Sequence, residues 1–551
     1  MVVADDHAAH AISTYDDRLL QTPQLDRLAA EGMRFDNCFC TNSLCAPSRA
    51  VILTGTYSHL NGVRTLSTPF DARQPTFVSL LREAGYRTAL VGKWHLGHGG
   101  VHDPRGFDTW QVLEDQGEYW DPEFLVPGGR RRLSGYATTV ITDLAIEQLH
   151  RRDDDRPLCL LVWHKAPHRP WDPDDKHAEH FAGHRFPEPT TLFDGHSGHA
   201  SAARAARMRV GRDLTDRDLK GSVPAGLAAD DRTRWALQRY LEDYLRCVVA
   251  LDEQTGRLLD VVEDSGREGD TVVMYTSDQG FFLGDHGWYD KRFMYEESLR
   301  MPLLVRYPAL VAAGTSSDAL VLNVDFAQTL LELAGVPAHP RMQGHSLVPI
   351  LRGVRPLEWR DCVYYRYWEH DDGIHHVWAH DGVRTRTHKL VRYYADGLGL
   401  PGTSRRAMPV EWELFDLQTD PSELRSVYDD PAYAAVRDEL TVLLARVQRE
   451  VGDDPPPSSR SGSGRLEPNG QSVGEQNKTV PRQRPGQQGG EDQRHGERHT
   501  DRRRLAGAGA GAGGEADGPA GQADGHVAAR KVSRHDAGFP PPLPVDGDQL
   551  G

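Results

Sequence analysis

Short apolar runs alternate with helix-like segments through the first part of the chain. Thr22 and Pro23 are suited to begin a helix, and Gly32 is suited to end it. The apolar run at residues 88–91 has the length and composition of a strand. Such an order of strands and helices is typical of a mostly parallel sheet covered by helices on both faces. We therefore predict a large α/β domain over residues 1–350.

The pattern changes after about residue 360, where apolar and polar positions begin to alternate. The alternating segments are residues 363–368, 388–393 and 413–417. This alternation predicts a small antiparallel sheet. Apolar residues at helical spacing between Val436 and Val447 predict a closing helix. We therefore expect a smaller, C-terminal α+β domain over residues 351–454.

Residues 455–551 differ from both earlier parts, since they are rich in proline, glycine, glutamine and arginine. Phe539 is their only aromatic residue. A segment of this composition cannot bury enough apolar area to offset the entropy of ordering the chain. We therefore predict a disordered, low-complexity tail.

The properties of the whole chain narrow the choice of partners. A formal net charge of −16 at pH 7 argues against nucleic acid, because phosphate binding needs a basic surface. No apolar run reaches the roughly 18 residues that cross a bilayer, so no membrane span is predicted. No secretory signal is visible, which predicts a cytoplasmic protein as written, or a secreted or periplasmic one if translation starts further upstream. Six cysteines in 551 residues do not indicate a disulfide scaffold.

Charged and polar side chains directly follow four of the predicted strands. Ligands bind beyond the carboxyl ends of the strands in open α/β sheets, so these side chains are expected to share one edge of the sheet. They are Asp5 and Asp6, Lys93 and His95, His164 and His168, and Asp278 and Gln279. The first and last of these pairs offer only oxygen ligands, the set that a hard divalent cation such as calcium prefers. The sequence therefore predicts a metal site formed by those two pairs.

Residues 45–55 read Cys-Ala-Pro-Ser-Arg-Ala-Val-Ile-Leu-Thr-Gly. Pro47 is suited to the first turn of a helix, which places Cys45 at the positive end, where backbone N–H groups stabilise an anion. Arg49 follows one helical turn later. The segment resembles the sulfatase signature C-x-P-S-R-x-x-x-L-T-G, in which the cysteine is converted to formylglycine, and every fixed position matches.

Further segments similar to sulfatases run through the catalytic part of the chain. They are Gly-Lys-Trp-His-Leu-Gly at residues 92–97, Lys-Ala-Pro-His-Arg-Pro-Trp at residues 165–171, Thr-Ser-Asp-Gln-Gly at residues 276–280 and Asp-Lys-Arg at residues 290–292. The resemblance covers about residues 1–450 and implies the fold of the alkaline phosphatase superfamily. This chain departs from the family pattern in its short first strand and in its tail.

The resemblance implies a calcium-dependent hydrolase of sulfate esters, whose nucleophile is formylglycine at position 45, made by a formylglycine-generating enzyme. It assigns the calcium ligands to Asp5, Asp6, Cys45, Asp278 and Gln279. It assigns the catalytic roles to Cys45, Arg49, Lys93, His95, His168 and Lys291. In the family pattern, Arg49 orients the nucleophile and His95 takes a proton from it. The other three contact the sulfate and the leaving oxygen, with His168 or Lys291 as the general acid.

Residues 277–298 look most like those of bacterial N-acetylglucosamine-6-sulfatases, which desulfate mucin or heparan. The implied substrate is a sulfated carbohydrate with 6-O-sulfated N-acetylglucosamine at a chain end, because the negative charge of the protein would repel a long polyanion. Two alternatives remain compatible with the sequence. One is a phosphonate monoester or phosphodiester hydrolase of the same fold, and the other is a catalytically silent carbohydrate-binding homologue.

Overall fold

The structure is a computed structural model that describes residues 1–151 and 154–453. Within these ranges, the strands are β1 Val2–Ala4, β2 Met33–Phe35, β3 Cys38–Phe39, β4 Arg87–Lys93, β5 Thr109–Leu113, β6 Glu123–Val126, β7 Gly129–Arg132, β8 Leu158–Trp163, β9 Val273–Ser277, β10 Phe282–Leu283, β11 Tyr289–Asp290, β12 Leu303–Arg306, β13 Thr315–Ser317, β14 Val321–Leu322, β15 Cys362–Tyr367, β16 His380–Thr385, β17 His388–Tyr393 and β18 Glu411–Asp416. The helices are α1 Pro23–Ala30, α2 Cys45–Thr54, α3 Ser58–Asn61, α4 Phe77–Glu83, α5 Ala137–His150, α6 Ser201–Ala205, α7 Val210–Asp213, α8 Ala229–Asp264, α9 Glu296–Leu299, α10 Phe326–Leu333, α11 Val348–Leu351 and α12 Ala434–Val451. The predicted tail, residues 455–551, lies outside the described residues.

The large sheet has ten strands in the order β13-β2-β12-β9-β1-β8-β4-β5-β6-β7. Strand β1 lies inside the sheet, is buried, and pairs in parallel with both β8 and β9. Strands β4 and β5 continue the parallel part, whereas β12, β6 and β7 run antiparallel to their neighbours. The predicted α/β fold with a mostly parallel sheet is confirmed, with antiparallel strands added towards both edges.

Two groups of helices cover the large sheet. Helices α1, α5 and α8 pack together as one group, and α2, α4 and α10 pack together as the other. Helix α2 is buried along its whole length, as its largely apolar sequence requires. The 36-residue helix α8 instead has one buried apolar stripe that includes Leu241, Leu245 and Val248. No helix in the described ranges combines the length and apolar composition that a bilayer crossing requires.

The C-terminal part contains a four-stranded antiparallel sheet in the order β15-β16-β17-β18. The alternating segments correspond to β15, β17 and β18, and α12 is the predicted closing helix. Strand β16 was not predicted, because it begins with His380, Asp381 and Gly382, which are polar or small and do not alternate with apolar residues. These three residues are nevertheless buried. The hydroxyl of Tyr365 in β15 donates to the carbonyl of Arg292 at 2.5 Å, which joins this sheet to the loop after β11.

The loops after β1, β4, β8 and β9 begin at the same edge of the large sheet, because these strands are parallel neighbours. Gly92, near the end of β4, has a φ of +105°, and a Cβ there would lie 1.9 Å from the carbonyl oxygen of Trp163. Only glycine therefore allows β4 to approach the end of β8 at this point. This close approach brings Lys93 beside the residues that follow β1.

Candidate active site

Cys45 is the first residue of α2 and is buried at the edge where the parallel strands end. Its Sγ accepts a hydrogen bond from the ammonium of Lys291 at 3.3 Å. Burial, together with the nearby carboxylate of Asp5, raises the pKa of the Cys45 thiol well above its usual value. Because the thiolate is the reactive form of cysteine, the unmodified thiol is a poor nucleophile here.

Three carboxylates and one amide meet beside Cys45. Strands β1 and β9 are parallel with Ala4 opposite Ser277, so the residues after each strand lie side by side. The backbone amide of Asp6 donates to Asp278 Oδ1 at 3.2 Å, and the amide of Gln279 donates to Asp6 Oδ1. Asp6 has a φ of +69°, a conformation that is uncommon outside glycine and that directs the chain away from β1. The predicted oxygen cluster of Asp5, Asp6, Asp278 and Gln279 is therefore present.

Three cations surround these acids. Lys93 donates to Asp5, and Lys291 donates to Asp6. The guanidinium of Arg49 donates through Nε to Asp278 Oδ2 at 3.0 Å and through Nη1 to the carbonyl of Lys93 at 2.8 Å. All three cations are buried, so their charges act in a region of low dielectric and attract anions strongly.

The two predicted histidines stand at the rim of the acidic cluster. Nε2 of His168 lies 3.6 Å from Asp6 Oδ2, and its Nδ1 donates to the carbonyl of Arg169 at 2.8 Å. His95 has a φ of +52°, and its Nε2 lies 3.4 Å from the side-chain amide of Gln116. Burial, followed by the charge of Lys93, lowers the pKa of both imidazoles well below the usual value. Both rings are therefore neutral at pH 7.

The cluster fits a hard divalent cation by its donor chemistry. Ligand atoms of Asp5, Asp6, Cys45 and His168 lie within 4.8 Å of one another. Asp5 Oδ1 and Gln279 Oε1 are buried and have no hydrogen-bond partner among the described residues. Burial and neighbouring carboxylates raise the pKa of Asp6 to about 8 and that of Asp278 to about 6. A bound cation would offset the repulsion that causes these shifts and would use the unpaired oxygens.

The site also contains residues that sequence reasoning did not identify. Gln116 accepts from Lys93 at 2.6 Å but lies in a loop without a recognisable motif. Ser48 of the signature donates to the carbonyl of Asp278 and accepts from Asn323 at 2.8 Å. Beyond Lys291, Nε2 of His375 lies 3.5 Å from Asp290. His375 and its neighbouring histidines had no distinguishing pattern in the sequence.

The position expected for the nucleophile thus lies at a helix start, among acids suited to a cation and cations suited to an anion. Together with the edge-of-sheet location, this combination is typical of hydrolases that cleave anionic esters with metal assistance. The profile described as "Sulfatase" matches residues 1–336, and the profile described as "N-sulphoglucosamine sulphohydrolase, C-terminal" matches residues 284–450. The chain belongs to the sulfatase family and is a sulfuric ester hydrolase.

Several relatives resemble the chain over most of its described length. An N-acetylglucosamine-6-O-sulfatase from Bacteroides thetaiotaomicron is 41% identical over 500 residues, which cover 83% of this chain and 87% of the relative. The human N-acetylglucosamine-6-sulfatase is 28% identical over 360 residues, 61% of each chain. A protein solved in complex with its substrate D-glucosamine-2-N,6-O-disulfate is 40% identical and has a TM-score of 0.77, covering 84% of this chain and 99% of that protein.

Proposed function

We propose that this sulfatase removes the 6-O-sulfate from a glucosamine residue, best N-acetylglucosamine, at the end of a sulfated carbohydrate. The observation that carries the proposal is the 41% identity to the Bacteroides N-acetylglucosamine-6-O-sulfatase over 83% of the chain. The substrate in the 40% identical solved complex is also a glucosamine with a 6-O-sulfate. The sequence comparison and the solved complex thus both support the sugar and the sulfate position that residues 277–298 predict.

Polar side chains beside Lys291 support a sugar-binding pocket. Asp290 and Arg292 flank Lys291 in the chain, and His375 approaches Asp290 from the C-terminal part. Although burial favours the neutral acid, His375 and Lys291 hold the pKa of Asp290 well below its usual range. The ionised carboxylate of Asp290 can accept a hydrogen bond from one sugar hydroxyl, and the guanidinium of Arg292 can donate to the neighbouring hydroxyl. The formal net charge of −16 also disfavours binding of a long polyanion, which supports action at a chain end.

We further propose that a formylglycine-generating enzyme oxidises Cys45 and that calcium binds Asp5, Asp6, Asp278, Gln279 and residue 45. The raised pKa of the thiol supports this, because an unmodified Cys45 has little thiolate to attack with. As an aldehyde hydrate, residue 45 would offer one hydroxyl to attack sulfur and a second to release sulfate. The cation would lower the pKa of the attacking hydroxyl and neutralise charge on a sulfate oxygen.

Two of the remaining residues, His95 and Lys291, have the protonation states that their proposed roles need. Neutral His95 can accept the proton that leaves residue 45 when sulfate is released. Lys291 holds its proton, because Asp6 and the site around Cys45 raise its pKa despite burial. Of the two candidate general acids, Lys291 therefore carries a proton before substrate binds, whereas neutral His168 gains one only beside the sulfate. Arg49 fixes Asp278 and orients the helix start.

A panel of substrates tests the proposed function. We expect kcat/KM for N-acetylglucosamine-6-sulfate to exceed that for a 2-O-sulfated uronic acid by about 1000-fold or more, since misplaced hydroxyls leave buried polar groups unpaired. Oligosaccharides with a terminal 6-sulfate should be desulfated at that end only. The rates are measured by release of inorganic sulfate from each pure substrate.

Other outcomes distinguish the alternatives. Preference for internal sulfates of intact heparin would contradict action at a chain end. A higher rate on an aryl phosphodiester than on the matched aryl sulfate would support the phosphodiesterase alternative. Calcium binding without turnover on any sulfate, in protein with matured Cys45, would support a silent carbohydrate-binding homologue.

Binding of calcium is expected to release protons. Without a cation, Asp6 has a pKa of about 8 and is mostly protonated at pH 7, so binding should release about one proton per ion. Calorimetry in two buffers with different ionisation enthalpies measures this number, and Asp6→Asn is the control that should release almost none. Without calcium, the folded chain holds the Asp6 proton up to about pH 8, whereas the unfolded chain does not. The free energy of unfolding of the calcium-free protein should therefore fall as pH rises from 5 to 8. Calcium binding with no proton release at pH 7 would contradict the assignment of Asp6.

A further inference from the structure

A second group of buried histidines surrounds Asp194, outside the proposed catalytic cluster. Ligand atoms of Asp194, His196 and His286 lie within 4.8 Å of one another. His196 and His286 are fully buried, whereas Asp194 is 10% exposed, which leaves an approach from solvent. No step of the proposed sulfatase reaction uses these three residues.

The distances between the ligand atoms suit a small cation. Asp194 Oδ2 lies 3.2 Å from His286 Nδ1 and 3.9 Å from His196 Nε2. Two ligands of a tetrahedral zinc ion, each about 2.0–2.2 Å from the metal, lie about 3.4 Å apart. His196 Nε2 has no hydrogen-bond partner among the described residues, although it is buried and faces the same carboxylate.

The surroundings of His286 match those of a metal ligand, and packing holds the ring of His196 in place. A ligating histidine usually directs its other ring nitrogen to a carboxylate, and Nε2 of His286 lies 3.8 Å from Glu297. The ring of His196 stacks on Trp288 with centroids 4.4 Å apart, which fixes its orientation. A third histidine, His199, donates through Nε2 to Asp194 Oδ2 at 2.9 Å and can orient that carboxylate.

We propose that Asp194, His196 and His286 form a second metal site, for a divalent cation of the zinc type. Two imidazoles and one carboxylate favour zinc or a neighbouring transition metal over calcium, which prefers oxygen ligands. The site joins the loop around Asp194 to the turn before β11. That turn leads within five residues to Lys291, so the cation stabilises the segment that presents Lys291 to the substrate.

Arg209 is expected to lower the affinity of this site for a metal. Its guanidinium donates to His196 Nδ1 at 2.8 Å, which places the ring proton on Nε2. Binding of a cation at Nε2 requires that proton to move to Nδ1 and Arg209 to turn away. Removal of the guanidinium should therefore strengthen metal binding. This effect is specific to a site that uses His196 as a ligand.

Zinc binding to the full chain, loaded with excess calcium, tests the proposal. After addition of two equivalents of Zn²⁺ and desalting, elemental analysis should find about one zinc per chain, and zinc should raise Tm. His196→Phe keeps an aromatic ring against Trp288 but has no nitrogen, so zinc retention should fall at least tenfold. Arg209→Ala should bind zinc several-fold more tightly. Co²⁺ should give visible absorption bands of a tetrahedral site in the wild type but not in His196→Phe.

Two controls separate this site from others. His184→Ala removes an exposed histidine and should bind zinc like the wild type. Asp278→Asn, in the proposed calcium cluster, should also retain one zinc. Wild-type protein that retains no zinc would overturn the proposal. Equal zinc retention in His196→Phe, or loss of zinc in Asp278→Asn instead, would overturn it as well.

Discussion

Cys45→Ala is expected to lower kcat/KM for every sulfate ester by about 10⁵-fold, which is the order of effect seen when a covalent nucleophile is removed. The methyl group cannot be oxidised to the aldehyde and cannot attack sulfur. Cys45→Ser should differ in kind, because a serine hydroxyl can accept sulfate but has no second hydroxyl to release it. We therefore expect at most one turnover and a stable sulfate ester on residue 45, seen as added mass on the intact protein.

Cys159→Ala is the matched control for these variants. Cys159 is a partly buried cysteine near the start of β8. The proposed site lies beyond the other end of that strand. Its loss should leave kcat/KM within about twofold, since a small cavity mainly affects stability. Multiple turnovers by Cys45→Ser, or equal losses of activity in Cys159→Ala and Cys45→Ala, would show that position 45 is not the nucleophile.

Asp278→Ala is expected to reduce turnover by about 1000-fold or more, because it removes a proposed calcium ligand and an acceptor of Arg49 together. Calcium should also stop raising Tm, since a cation that binds only the folded state stabilises it. Chelation of the wild-type enzyme should give the same loss of activity and should be reversed by added calcium. Asp270→Ala, which removes an exposed carboxylate, should change neither property.

Asp278→Asn separates the two roles of this residue. The amide keeps an oxygen that can accept from Arg49 but loses the negative charge that attracts calcium. If that charge serves only to attract calcium, the activity of Asp278→Asn should return at high calcium. Full wild-type activity in excess EGTA, with no metal found by elemental analysis, would rule out the proposed calcium site.

Several residues of the proposed catalytic site could be predicted from sequence because they lie at or just after the end of a strand, or at the start of a helix. Asp5, Lys93 and Asp278 directly follow apolar runs, and parallel neighbours necessarily bring such positions to one edge. The signature around Cys45 supplied Arg49, and the other family segments supplied His95, His168 and Lys291. Gln116 could not be found in this way, because it is placed by a loop whose path depends on packing and not on local pattern.

The histidine cluster could not be predicted from sequence either, because its residues are far apart along the chain. Asp194 lies in a long segment between β8 and α8 that has little regular structure, and His286 is 92 residues further along the chain. No period of apolar positions links the two. Their approach depends on contacts such as the bond from the His286 amide to Thr191 Oγ1 at 2.9 Å, which only the folded chain reveals.

Peptide mass spectrometry of residue 45 in catalytically active protein is the most direct test of the central claim. Protein made together with a formylglycine-generating enzyme should show loss of sulfur and gain of oxygen at Cys45, and the fraction converted should be proportional to kcat. The same protein made without that enzyme should contain the thiol and be inactive. Fully active protein in which the Cys45 peptide is entirely unmodified thiol would contradict the account.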